Sequence, residues 1–186
     1  MSLLKSIQDG EGKTVEFKVE LPNSNTLAKT IIAFSNTGGG KLIIGVNDQG
    51  EIIGLEPDVN IFELKDKVAS IIYETCYPTV LPDIYTTTID DQLLLIIEVY
   101  RGNLLPYYLK NKGKNEGVYI RVGATNRKAS HENILELERQ RMNISFDQEA
   151  NREVELDSLD ISSLEGGFVR AGKVLDQPVM KNLKLV

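Results

Sequence analysis

The apolar run LLLII at 93–97 constrains this chain more than any other segment. Held between Gln92 and Glu98, it is far shorter than the roughly 20 residues that span a bilayer. It predicts instead a central β-strand buried on both faces, inside a sheet that other elements cover. A chain of 186 residues, 41% hydrophobic and 26% charged, can bury such a core in one domain plus an appendage.

Residues 14–21 alternate. Val15, Phe17, Val19 and Leu21 fall on one face, and Glu16, Lys18 and Glu20 on the other, the period of a half-buried strand that Pro22 ends. Ser24 or Asn25 is placed to cap a helix carrying Leu27, Ile31 and Phe34, and Gly38-Gly39-Gly40 stops it. A strand at 41–46, a tight turn at Asn47-Asp48-Gln49-Gly50 and a returning strand at 51–54 follow. A second helix is predicted over 60–75, then strands at 84–88 and 93–99 joined through Asp90-Asp91. Short strands at 107–109 and 117–122 flank a loop at 110–116, and Ser130 caps a third helix running to Met142. Short strands, hairpins and about three helices make an α+β domain over 9–142, with a mixed or antiparallel sheet. Residues 143–186 read as an appendage: an acidic linker at 147–165, then the incomplete start of a C-terminal region.

The net charge is −6, but it is unevenly spread. Residues 1–100 hold 7 basic and 15 acidic side chains, and 132–186 hold 7 and 11. Between them, 101–131 carries Arg101, Lys110, Lys112, Lys114, Arg121, Arg127 and Lys128 against Glu116 alone. Phosphate binding follows the local field of a patch, so this basic island outweighs the total. Cys76 is the single cysteine, which excludes an intrachain disulfide and a Cys-rich zinc site and reads as a buried, inert thiol. The expected compartment is the cytoplasm.

Three constellations could carry chemistry. Glu11 lies at the entrance of the first strand, Glu16 on its polar face and Asp48 in the turn after the next strand. If those strands pair, the three carboxylates could converge as hard oxygen ligands for Mg²⁺ or Mn²⁺. By spacing alone, 27 acidic residues offer many such triplets. Thr37-Gly38-Gly39-Gly40-Lys41 invites a phosphate-loop reading but has the wrong order, running from helix into strand with no Ser or Thr after the lysine. At 121–128, a strand delivers Arg121 and a glycine turn leads into Thr125, Asn126, Arg127 and Lys128, exposed groups of the type that contact phosphates. The sole histidine, His131, follows the helix cap with no nucleophile beside it. Aromatic stacking platforms are scarce, with Tyr107-Tyr108 the only tempting pair.

The segments VEFKVEL, IIAFSNTGGGKLIIGVNDQGEIIGL, YPTVLP, LPYYLK and YIRVGATNRKAS occur here in order, and this series resembles the Schlafen-type AlbA-like domain over residues 11–142. The resemblance implies an α/β nucleic-acid-binding domain of the kind that leads bacterial and archaeal transcriptional regulators. It also implies that Glu11, Glu16 and Asp48 match positions at which nuclease members of the animal Schlafen group carry acidic residues. Those enzymes clamp RNA between two lobes, and only one lobe is present here.

The leading expectation is therefore a module that binds DNA or RNA without a cofactor, through Lys18, Lys41, Arg121, Thr125, Asn126, Arg127 and Lys128 and the lysines at 110, 112 and 114. One rival is a Mg²⁺- or Mn²⁺-dependent ribonuclease using the acidic triplet. The other is an oligomerisation module, a homo-oligomer presenting a C-terminal ATPase-like domain.

Overall fold

In the computed structural model, residues 3–142 and 162–172 are described, together with 174 and 180. The chain divides into two units, Met1–Asn143 and Ile144–Val186.

Within the first unit the LLLII run lies in β5 (Gln92–Val99), an interior strand of a four-stranded sheet ordered β1-β2-β5-β4. Its neighbours are β2 (Gly40–Ile44) and β4 (Asp83–Ile89), both antiparallel to it, while β1 (Val15–Lys18) runs parallel to β2. Leu94, Leu95, Ile96 and Ile97 are all fully buried, as a strand covered on both faces requires. Alternation divides them between two cores. Leu95, Ile97, Leu42 and Ile44 pack with Leu27, Ile31 and Phe34 of α2 (Ser24–Asn36) and with Val68 and Ile72 of α3 (Ile61–Thr75). Leu94, Ile96, Phe17 and Ile43 pack with Ile7 of α1 (Leu3–Gln8).

Several ends differ from expectation for local reasons. The first strand stops at Lys18 because the Gly45 and Val46 N–H groups both turn onto its carbonyl, and Val19 is left exposed. The cap of α2 is Asn23, whose side chain accepts from Thr26 N–H at 2.9 Å. The return after Gly50 is a single bridge, Val46 to Ile52, instead of a strand. The predicted helix over 60–75 is α3, capped by Asn60, which accepts from Phe62 and Glu63.

Gly39 ends α2 with φ +75° and its N–H on Phe34 O; a Cβ there would stand 2.6 Å from Val99 O. The triple glycine is thus a helix stop with close backbone packing.

The basic segment folds as neighbouring pieces. Strand β3 (Cys76–Tyr77) pairs with β6 (Tyr108–Leu109), and α4 (Gly113–Gly117), in the stretch expected to be loop, packs on β6. A hairpin follows, β7 (Tyr119–Val122) with β8 (Thr125–Lys128), so 125–128 is a strand and not a loop. Ser130 caps α5 (His131–Met142): its Oγ accepts from Asn133 N–H, and its own N–H donates to Asn133 Oδ1.

In the second unit, α6 spans Ser162–Arg170 and begins inside the stretch read as linker. Its Gly166 and Gly167 lower helix propensity and hide it from a propensity reading. The rest of that acidic stretch, 147–161, lies outside the described residues. Among the described residues no helix is long and apolar enough to cross a membrane.

Candidate nucleic-acid interface

The charged residues of β1 lie where its outward edge meets the β7–β8 hairpin. A strand at the end of a sheet leaves alternate backbone groups without a ladder partner. Here side chains take them. Glu11 Oε1 accepts from Phe17 N–H at 2.8 Å, and Lys18 Nζ donates to Phe17 O at 2.7 Å. Arg121, whose side chain is 0% exposed, donates from Nη2 to Val15 O at 3.0 Å and from Nε and Nη2 to Gly12 O at 3.1 and 2.9 Å. Its Nη1 donates to Asn126 Oδ1, and Asn126 Nδ2 donates to Thr30 Oγ1 on α2. Glu16 Oε2 stands 2.6 Å from Arg121 Nη1 but accepts no aligned hydrogen bond, so this contact is a buried ion pair held by charge alone. The Phe34 ring lies 5.2 Å from the guanidinium.

This arrangement corrects the expectation of an exposed guanidinium at Arg121. Its donors are taken by backbone and side-chain acceptors, leaving the charge inside the protein. The partners at Gly12 and Val15 lie more than 100 residues away in sequence, beyond what local strand-and-turn chemistry signals.

The acidic triplet is not assembled into a metal cradle either. Among the described residues, no group of three or more His, Cys, Asp or Glu side chains is placed to hold a metal ion. Glu11 and Glu16 face Lys18, whose Nζ is 2.9 Å from Glu16 Oε1 and 4.0 Å from Glu11 Oε1, and Glu16 also faces Arg121. Lys18 faces both carboxylates and Arg121 lies against Glu16, so a divalent ion would meet like charge. Asp48 is exposed in the turn, where Asn47 Oδ1 accepts from Gln49 and Glu51 N–H. This donor set does not fit Mg²⁺ or Mn²⁺.

The remaining basic candidates separate by availability. Lys41 Nζ lies 2.9 Å from Glu98 Oε2 and 3.4 Å from Tyr85 Oη. Burial works against its charge, but hydrogen bonds to Glu98 and Tyr85 outweigh it and raise the pKa above the ordinary 10.5. Lys110 donates to Tyr73 O, Lys114 pairs with Glu138, and Lys128 pairs with Glu116, holding that carboxyl below its usual range. Lys112 and Arg127 are exposed, and among the described residues their side chains make no hydrogen bond or ion pair, Lys112 lying only within the charge field of Glu116.

Cross-strand register splits the hairpin candidates. Arg127 and Thr125 stand opposite Ile120 and Val122, while Asn126 and Lys128 stand opposite Arg121 and Tyr119 on the other face. The hairpin therefore has a face that anchors it and a face that presents Arg127.

Two residues escaped the sequence reading. Asn36, fully within the fold, donates from Nδ2 to Tyr107 O and Tyr119 O and accepts from Tyr107 N–H, tying α2 to the basic segment. Only the burial of a polar residue at a helix end could have pointed to it. Lys13 is exposed at the rim of a shallow hollow of about 300 Å³ that Arg101 and Gly38 also line.

The family described as Schlafen, AlbA_2 matches residues 11–130, more than half of the chain. The chain belongs to the Schlafen AlbA_2 family. The AlbA_2 match takes in β1, the interior strands and the whole hairpin, ending at the cap of α5. Among solved structures, the DIP2311 protein from Corynebacterium diphtheriae is similar at 22% identity and TM-score 0.51, over 90% of this chain and 32% of that one. The chain thus spans about a third of that protein, and the likeness is one of fold. The N-terminal domain of a RecG-related protein from Nitrosomonas europaea is similar at 22% identity and TM-score 0.46, over 69% of this chain and 91% of that one. No curated protein matches the chain.

Proposed function

We propose that this AlbA_2 domain binds nucleic acid, DNA in the first instance, through phosphate contacts, as one module of a transcriptional regulator. The observation that carries the reading is the placement of the positive charge. Of the seven basic side chains in 101–131, against one acidic, six fall between Lys110 and Lys128, in the turn after β6, in α4 and in the hairpin, with the Tyr108–Val118 bridge linking β6 to the start of the hairpin. Among the described residues Arg127 makes no hydrogen bond or ion pair on the presenting face of the hairpin, Lys112 has only the nearby charge of Glu116, and the exposed pairs of Lys128 and Lys114 are of the kind that solvent screens. Such pairs open readily when a phosphate arrives. Arg121 is the anchor beneath this surface and not part of it.

Phosphate contacts position a protein without reading bases, so weak sequence preference is expected. The test is fluorescence anisotropy with labelled duplex DNA and duplex RNA over a range of salt. Arg127→Ala should weaken binding about equally across sequences and reduce the log–log salt slope by about 0.9. An unchanged slope would remove Arg127 from the interface, and no binding at low salt would end the reading.

A further inference from the structure

Resting on the nucleic-acid reading above, we propose that β3 and β6 carry a stacking platform for unpaired bases, built from Tyr77, Tyr108 and Tyr73 with Lys110 beside them. The register sets it up. Cys76 pairs with Leu109 and Tyr77 with Tyr108. Cys76 and Leu109 are buried at 0% and 2% exposure, so alternation turns Tyr77 and Tyr108 to the opposite face, where Tyr108 stays half-buried along the core's edge and Tyr77 is exposed. The two rings meet there with centroids 5.3 Å apart and planes inclined by 48°. Lys110 N–H donates to Thr75 O, extending the pairing by one residue. Lys110 Nζ then reaches Tyr73 at the end of α3, donating to its carbonyl at 2.6 Å and lying 5.3 Å from its ring centroid.

Tyr73 is 65% exposed and Tyr77 50%. The sequence indicates that stacking platforms are scarce, with Tyr107-Tyr108 the only tempting pair. Tyr107 is instead buried, with its N–H on Asn36.

Charge selects the occupant. An apolar protein partner laid on these rings would have to desolvate the Lys110 ammonium. A nucleotide brings a base for the ring and a phosphate for the cation, and the exposed Lys112 follows two residues on. Contacts within the cluster hold the rings in place before a ligand arrives, which lowers the ordering cost of binding. Duplex base faces are covered by their neighbours, so the platform takes single strands only.

The experiment compares labelled oligothymidylate of about 12 nucleotides with a duplex of equal length, using the full chain. Tyr77→Ala should lower single-strand affinity by about 5- to 150-fold and leave duplex affinity unchanged, while Tyr77→Phe keeps the ring and the affinity. Tyr73→Ala supplies a second, independent loss. Single-strand binding by the wild type that survives both alanine variants overturns the platform and leaves the phosphate reading standing. Binding of neither polymer by the wild type overturns both. A change in mass by light scattering with single-strand affinity intact would make this face a contact between copies of the chain, and would also overturn the proposal.

Discussion

Arg121 shows how differently one residue reads in sequence and in the fold. Local pattern placed it correctly at the end of a strand before a glycine turn. What decides its role is the distant β1 edge, which no local pattern records. Glu11, Glu16 and Asp48 read in sequence as a converging triplet, but Glu11 and Glu16 face Lys18, and Glu16 also the distant Arg121, while Asp48 stays exposed in its turn. Arg121→Ala should destabilise the fold by about 3–5 kcal/mol, because it strips the buried Glu16 of one of its two counter-charges and leaves the Gly12 and Val15 carbonyls without the guanidinium; urea unfolding measures this directly. Cys76 was legible throughout. Burial pushes its thiol up from 9.0 to about 11. An unfolded thiol ionises from about pH 9, while the folded one stays protonated towards pH 11. Its contribution to stability is therefore complete below pH 9 and declines as the pH rises past that value. At pH 8 a disulfide reagent should leave the native chain unmodified and react once denaturant is added.

At the level of elements, signals that are complete within a few residues survived intact. The LLLII run gave β5, the stretch 60–75 gave α3, and Asp90-Asp91 joined β4 to β5. Elements that need partners from elsewhere did not announce themselves. Strand β3 is two residues long and exists through β6, while α1 covers the far face of the sheet with few apolar positions of its own. The Asp90-Asp91 turn holds φ values of 49° and 61°, left-handed at both positions. A non-glycine residue there costs roughly 1–2 kcal/mol. Asp91→Gly should recover part of that, raising stability by up to about 1 kcal/mol in thermal or chemical unfolding, as hairpin turns of this type favour glycine second. A drop in stability would mean that the Asp91 side chain holds the turn in place.

At the scale of the whole molecule, composition by itself pointed away from a polyanion, and only the division of charge along the chain pointed towards one. Within the first unit, and among the described residues, folding leaves Arg127 of that basic segment exposed without a hydrogen bond or ion pair. The core of the first unit is drawn from its own helices and sheet. A chain ending at Asn143 should accordingly unfold cooperatively, with a urea midpoint close to that of the full chain; a broad or absent transition would show that the remaining residues are needed. The closed edge of β1 has a bearing on how copies of this protein meet. A sheet with two open ends can add strands indefinitely and propagate as a fibre. With the β1 rim occupied by Glu11, Lys18 and Arg121, extension is left to the β4 end alone. Were copies to meet by strand addition through this sheet, two β4 rims would face each other and leave no further rim of it to extend.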